Sequence, residues 1–144
     1  MAQDVTKAAD LYRKAADQGL AIAQNNLGTL YEQGQVVAQD DTKAADLYRK
    51  AADQGLALAQ CNLAVLHLNG RGVAQDDTKA VDWFRKAAEQ GLAIAQNNLA
   101  VMYHEGRGVK QDMAKAVEWC RKAAEQGNIE SQKALKALAQ IVGK

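Results

Sequence analysis

The feature that most constrains this chain is a repeat. The run from Lys7 to Gly19, KAADLYRKAADQG, recurs unchanged from Lys43 to Gly55, then as KAVDWFRKAAEQG from Lys79 and KAVEWCRKAAEQG from Lys115, each 36 residues after the last. Between the copies lies a second recurring run: GLAIAQNNLGTLYEQG from Gly19, GLALAQCNLAVLHLNG from Gly55 and GLAIAQNNLAVMYHEG from Gly91. Self-similarity at such a period marks units that cannot bury their apolar faces alone and stack on their neighbours.

Both runs carry helical periodicity. In one, Ala8, Leu11, Tyr12, Ala15 and Ala16 share a face, while Lys7, Asp10, Arg13, Lys14 and Asp17 face solvent at ion-pair spacing. In the other, Ala23, Leu27, Leu30 and Tyr31 form the stripe. We call the NNL-containing run the first-type helix and the KAA-containing run the second-type helix. Gly19, Gly55, Gly91 and Gly127 end the second type, and Gly34, Gly70 and Gly106 end the first. Asp4, Asp40, Asp76 and Asp112 precede second-type helices, placed as N-caps. In the connecting GRGVAQD and GRGVKQD, Val73 and Val109 plug the gap between helices. The first loop has Val36 where Gly72 and Gly108 stand, so it should take another course if those glycines adopt positive φ. Arg71 and Arg107 read as solvated loop charges.

The expected fold is all-α: an α/α superhelical solenoid of antiparallel helix pairs with about eight helices. It is one repeat domain over 1–144, with an isolated second-type helix at 4–19, full repeats at 20–55, 56–91 and 92–127, and a capping helix at 128–144. The last helix carries Lys133, Lys136 and Lys144 and reads as a polar end, while the beginning reads as a cut through a longer array.

Composition fits. The chain is 48% apolar but only 5% aromatic, with no proline, so closely approaching alanine-rich helices should form the core. Net charge is +1, with opposite signs interleaved, which argues against nucleic acid as a partner. No apolar run reaches the roughly 20 residues of a membrane span. No signal peptide opens the chain as given, and Cys61 and Cys120 occupy unmatched repeat positions, so they read as free, packed thiols rather than a disulfide framework. Localisation leans cytoplasmic on these grounds.

The pattern A-x-A-x-x-x-L-[GA]-x-x-Y, then G-x-G-V-x-x-D, then K-A-x-x-W-x-x-K-A-A-x-x-G resembles the Sel-one-like repeat (SLR) family, a relative of the tetratricopeptide repeats. The residues are Ala21, Ala23, Leu27, Gly28 and Tyr31; Gly70, Gly72, Val73 and Asp76; and Lys79, Ala80, Trp83, Lys86, Ala87, Ala88 and Gly91. The resemblance implies a right-handed superhelix whose first-type helices line a concave groove, acting as a protein-interaction adaptor of a kind common in bacteria. Three departures stand out. Leu20, Leu56 and Leu92 replace a polar cap that returns only at Asn128, Leu11 and Leu47 replace Trp, and the paired cysteines of the secreted cysteine-rich branch are missing. The β-lactam binding linked to that branch is therefore not carried over.

Comparing copies locates a candidate site. The second-type helix barely changes, but the first-type helix varies at Ile22/Leu58/Ile94, Asn25/Cys61/Asn97, Thr29/Val65/Val101, Glu32/Leu68/His104 and Gln33/Asn69/Glu105, on a face that packing should not dictate. Beside it, Asn26, Asn62 and Asn98 are constant: either a ladder for an extended peptide backbone or partners for neighbouring helices. The expected peptide-binding set is Asn25, Asn26, Thr29, Glu32, Leu58, Asn62, Val65, Leu68, Asn69, Asn97, Asn98, Val101, His104 and Glu105. Val65, Leu68 and Val101 are either a binding patch or additional core. No cofactor or metal is expected, because His67, which should pack like Tyr31 and Tyr103, and His104 do not share a register. No enzyme is expected either: the lone serine, Ser131, lacks a nucleophile motif, and G-R-G-V is not a phosphate loop. The alternatives are a self-assembling or engineered array without a groove ligand, with weak self-association through the first helix, and a hydrolase relative of the cysteine-rich type.

Overall fold

A computed structural model describes residues 2–142, with residues 2, 3, 5, 141 and 142 described in backbone only. Its described residues form eight helices and no strand: α1 (Ala2–Asp17), α2 (Ala21–Gln33), α3 (Asp41–Asp53), α4 (Ala57–Asn69), α5 (Asp77–Glu89), α6 (Ala93–Glu105), α7 (Met113–Glu125) and α8 (Ile129–Val142). Even-numbered helices are of the first type and odd-numbered helices of the second. Packing divides them into a unit of α1–α4, ending at Asp76, and a unit of α5–α8, beginning at Asp77. Within each unit every helix packs on the next, and the short turns make consecutive helices antiparallel. Lys144 of the expected polar end lies outside the described residues.

The stops are those the pattern predicts. First-type helices end on Gly34, Gly70 and Gly106 at φ 66, 66 and 67°, each amide closing back on its helix. Second-type helices begin on aspartates: Asp40 accepts from the Lys43 amide and Asp112 from the Lys115 amide, both at 3.0 Å. Asp4 departs from this rule. It lies inside the first turn of α1, where a carboxylate favours the helix dipole rather than capping the end. Leu20, Leu56 and Leu92 open first-type helices without any side-chain cap, whereas Asn128 Oδ1 accepts from the Ser131 amide at 2.9 Å.

The core is built of small residues facing large ones. In α3, Ala44, Ala45, Tyr48, Ala51 and Ala52 are buried, and Val81 and Phe84 take part in the same pattern in α5. Ala16, Ala23 and Leu27 join α1 to α2, with Tyr12, Leu30, Tyr31 and Leu47 packed around them. Leu11, placed by periodicity on the apolar face of α1, is instead 65% exposed. The position lies at the edge of that face; in later copies it holds Trp83 and Trp119, whose rings carry Lys86 and Lys122 at 4.4 and 4.5 Å.

The loops between first- and second-type helices overturn two expectations. Val36 does not send its loop on another course, because it adopts φ 68°, matching Gly72 at 71° and Gly108 at 69°. The loop is held at both ends, by the Gly34 cap and by the Asp40 amide donating to the Tyr31 carbonyl at 3.0 Å, as Asp76 does to His67 and Asp112 to Tyr103. A β-branched residue is thereby held in the left-handed region at roughly 1–2 kcal/mol. Arg71 and Arg107 are not solvated loop charges either. A Cβ on Gly72 would overlap the Asp41 carbonyl, so the glycine brings its loop against the start of α3. Arg71 Nε and Nη2 then reach both Asp41 carboxylate oxygens at 3.2 and 3.0 Å, and Nη1 reaches Glu32 at 3.3 Å. Arg107 makes the same fork on Asp77 at 3.4 and 3.1 Å.

Candidate functional site

Each first-type helix buries one face and presents another. In α2 the buried face is Ala23, Gln24, Asn25, Leu27 and Gly28; in α4 and α6 the corresponding Ala, Gln and Leu are buried, joined by Leu66 and Met102. On the opposite face of α4, Leu58 is 50% exposed, Asn62, Val65 and Leu68 are half-buried and Asn69 is exposed; on that of α6, Ile94 is 57% and Val101 42% exposed, beside exposed His104 and Glu105 and half-buried Asn97 and Asn98. In α2, Asn26, Thr29 and Glu32 are half-buried. The variable face therefore carries aliphatic side chains in contact with water, on helices whose packing is satisfied elsewhere.

Packing nonetheless dictates part of that variation. In the first unit Asn25 is buried, and its Oδ1 accepts from Asn62 Nδ2 at 3.0 Å, so these two asparagines join consecutive first-type helices. Tyr48, fully buried in α3, points its hydroxyl at the same face: it donates to Glu32 Oε2 at 2.6 Å and lies 3.1 Å from Thr29 Oγ1. Burial, followed by the hydrogen bond to Glu32, raises the Tyr48 hydroxyl well above its ordinary pKa. The hydrogen bond to Asp41 leads the causes that raise the Arg71 guanidinium. Gly28 completes the cleft, since a Cβ there would come within 2.8 Å of the Tyr48 ring. Thr29, Glu32, Tyr48, Asp41 and Arg71 thus form one hydrogen-bonded group.

The second unit contains the corresponding cleft with different contents. Where the first unit has Gly28, Thr29, Glu32, Asp41 and Tyr48, the second has Ala100, Val101, His104, Met113 and Cys120. The result is an open, mainly apolar cavity of about 350 Å³ between α6, α7 and α8. Four of the expected site residues, Asn97, Val101, His104 and Glu105, line it. Asn97 Oδ1 accepts from the buried Ser131 hydroxyl at 2.7 Å, which commits the only serine to structure. Cys120 Sγ donates to the Ser131 carbonyl at 3.4 Å.

A family model of the Sel1 repeat matches residues 1–20, 21–56, 57–92 and 93–128 in succession. The chain belongs to the Sel1 repeat family. Sel1 repeats commonly serve as protein-interaction scaffolds and are generally non-catalytic. The solved structures it resembles share the fold. A protective antigen of uropathogenic Escherichia coli with an SLR fold is 45% identical with a TM-score of 0.89, over 94% of this chain but 29% of that one. A Sel1 repeat protein from Oxalobacter formigenes is 38% identical with a TM-score of 0.80, over 88% and 95% of the two chains. Cysteine rich protein B of Helicobacter pylori, at 22% identity and a TM-score of 0.73 over 93% and 96%, shares the fold. No curated protein matches the chain.

The Sel1 units also contain a polar device that the sequence reading passed over. Gln24, Gln60 and Gln96 are buried, and their amides donate to the carbonyls of Ala16, Ala52 and Ala88 at 3.4, 3.2 and 3.2 Å, which ties each first-type helix to the end of the preceding second-type helix. Gln132 does the same to Ala124 at 3.1 Å. Gln54 and Gln126 then donate to the Oε1 atoms of Gln24 and Gln96 at 2.8 and 2.9 Å. The signal was available: a glutamine constant through every copy, inside an apolar frame. His67 packs as expected, its Nδ1 3.4 Å from the Ala74 carbonyl. Among the described residues no three His, Cys, Asp or Glu side chains are placed to hold a metal ion, and no helix is long and apolar enough to cross a membrane.

Proposed function

We propose that this Sel1 repeat chain is an adaptor that holds a peptide or an extended partner segment along the exposed face of its first-type helices. The observation that carries the reading is the exposure of Leu58, Ile94 and Val101 on that face. Within each unit, exposed aliphatic side chains beside polar groups on one helix face, Leu58 on α4 and Ile94 and Val101 on α6, mark an interaction surface. Around them Asn69, His104 and Glu105 differ from copy to copy, which suits the reading of different partner side chains. The half-buried amides of Asn26 and Asn98 are the candidates for hydrogen bonds to a partner backbone. Asn25 and Asn62 already bind each other, so they support the surface and contribute to it indirectly.

The test uses a peptide selected on the intact chain from a displayed library. Leu58→Glu and Val101→Glu, each on an exposed side chain, should weaken that peptide at least about tenfold while leaving the thermal midpoint nearly unchanged. A Lys122→Glu control on a second-type helix should leave affinity alone. Equal affinity for wild type and both stripe variants would sink the reading.

A second reading rests on Leu11 and Leu20, which are 65% and 56% exposed. They offer an apolar surface for weak self-association. Sedimentation across concentration should then show a reversible dimer that Leu11→Glu abolishes; one monomeric species at all concentrations removes this alternative.

A further inference from the structure

We infer that the cleft between α6, α7 and α8 is a pocket for one aromatic side chain of a bound peptide. The inference rests on the adaptor reading only in assigning that ring to a peptide. Position 48 and its equivalents read Tyr12, Tyr48, Phe84 and Cys120. Tyr48 and Phe84 are fully buried, and Tyr48 occupies the cleft between α2 and its neighbours so completely that only a glycine fits opposite. At the fourth copy the ring is absent and a thiol stands in its place. Two changes on α8 widen the space further: Ala134 and Ala137 replace the Asn62 and Val65 of the first unit.

The same fold position that encloses a ring in one unit therefore leaves about 350 Å³ open in the other. That volume falls within the roughly 300–1,000 Å³ typical of ligand pockets. Its chemistry follows the loss. Met113 replaces the Asp41 that Arg71 clamps, and Val101 replaces the Thr29 that meets the tyrosine hydroxyl, so two polar groups have gone along with the hydroxyl, while His104 stands in place of Glu32. What remains is a slot walled by Val101, Val117 and Leu138 and floored by Ala116 and Cys120. A phenyl ring is the shape the fold is built to hold there, and the apolar walls favour it over a charged or small side chain. The pocket is continuous with the proposed peptide surface, since Asn97, Val101, His104 and Glu105 belong to both. His104 and Glu105 at its mouth supply polar groups for the flanking peptide backbone.

The experiment titrates the intact, methyl-labelled chain with N-acetylphenylalaninamide and, separately, N-acetylleucinamide, followed by NMR. The expected result is saturable shifts at the methyls of Val101, Met113, Val117 and Leu138 with the phenylalanine amide, on the order of 1 mM, and distinctly weaker binding of the leucine amide. Cys120→Phe should fill the slot from within, as Phe84 does at its own position, and abolish the shifts. Met113→Asp, which restores the residue type of Asp41 and Asp77, should weaken them and keeps the test decisive if the first variant fails to fold. No saturation with either amide, equal binding of both, or binding unaffected by the variants would overturn the inference. Such an outcome leaves the adaptor reading to its own affinity test. Conversely, stripe variants that fail to weaken a selected peptide would leave the ring pocket standing.

Discussion

Two clefts of the same design meet different fates in this molecule. In the α1–α4 unit, Gly28 makes room for Tyr48, whose hydroxyl reaches Glu32 and Thr29 while Arg71 clamps Glu32 to Asp41. In the α5–α8 unit, Ala100, Val101, His104, Met113 and Cys120 occupy the corresponding positions, and the cleft is apolar and open. Five positions differ between the two clefts, and the copy between them, with Ala64, Val65, Leu68, Asp77 and Phe84, carries some of the exchanges but keeps a ring. A repeat can thus fill one position with a buried ring in one unit and leave it open in another, with no change in backbone plan.

The largest expected effect tests whether the two clefts differ in energy as they do in filling. Tyr48→Ala removes a fully buried ring together with the partner of Thr29 and Glu32, and should cost about 3–5 kcal/mol in urea denaturation. Cys120→Ala removes a single sulfur from a cleft already open and should cost about 1 kcal/mol or less. Equal losses would mean that the ring does not carry the first cleft.

The next effect sharpens the reciprocity of size. Gly28→Ala places a methyl within 2.8 Å of the Tyr48 ring and should cost about 1–3 kcal/mol on its own. In a Tyr48→Cys background, which reproduces the Ala100–Cys120 pair of the other unit, the same change should cost nothing further. A double-mutant cycle measures the coupling, and simple additivity would show that the pairing of small with large is incidental.

How much of this could be read in advance depended on whether the cause was local. Helix ends, the Asp40 and Asp112 caps and the constant alanine faces follow from residues a few positions apart, and the repeat displayed them several times. The fork of Arg71 on Asp41 spans 30 residues and depends on Gly72 letting two backbones touch; nothing near Arg71 announces it. The variable face was legible as a face, but not as partly packing-driven, because Thr29 and Glu32 vary in step with Tyr48 on another helix. Cys120 read as a packed thiol, whereas the informative fact was what it lacks relative to Tyr48 and Phe84. Val36 was misread for a related reason: loop closure by Gly34 and Asp40 overrides the preference of the residue between them.

That override is measurable. Val36→Gly relieves a strained left-handed residue whose side chain is half in water, and the gain, offset by the flexibility glycine adds to the unfolded chain, should be about 0.5–1 kcal/mol. A higher thermal midpoint is expected; a lower one would show that the valine side chain packs usefully in its loop.

The smallest effect near neutral pH is also the most specific to the first cleft. Burial and the Glu32 hydrogen bond raise the folded-state pKa of Tyr48 above its unfolded value of 10.0. The neutral hydroxyl is thus the form the fold favours. Its contribution is complete below the unfolded pKa and is lost as pH rises from there toward the folded value, because only the unfolded chain then releases the proton readily. Thermal midpoints should therefore fall between about pH 10 and 12 more steeply in wild type than in Tyr48→Phe, while the two should run parallel at neutral pH. Cys120→Phe adds a ring to the second cleft without adding a hydroxyl, so it should leave that alkaline slope unchanged. If Tyr48→Phe retained the steep limb, the proton would belong to another tyrosine, and the hydrogen-bonded group around Thr29 and Glu32 would not be what distinguishes the closed cleft from the open one.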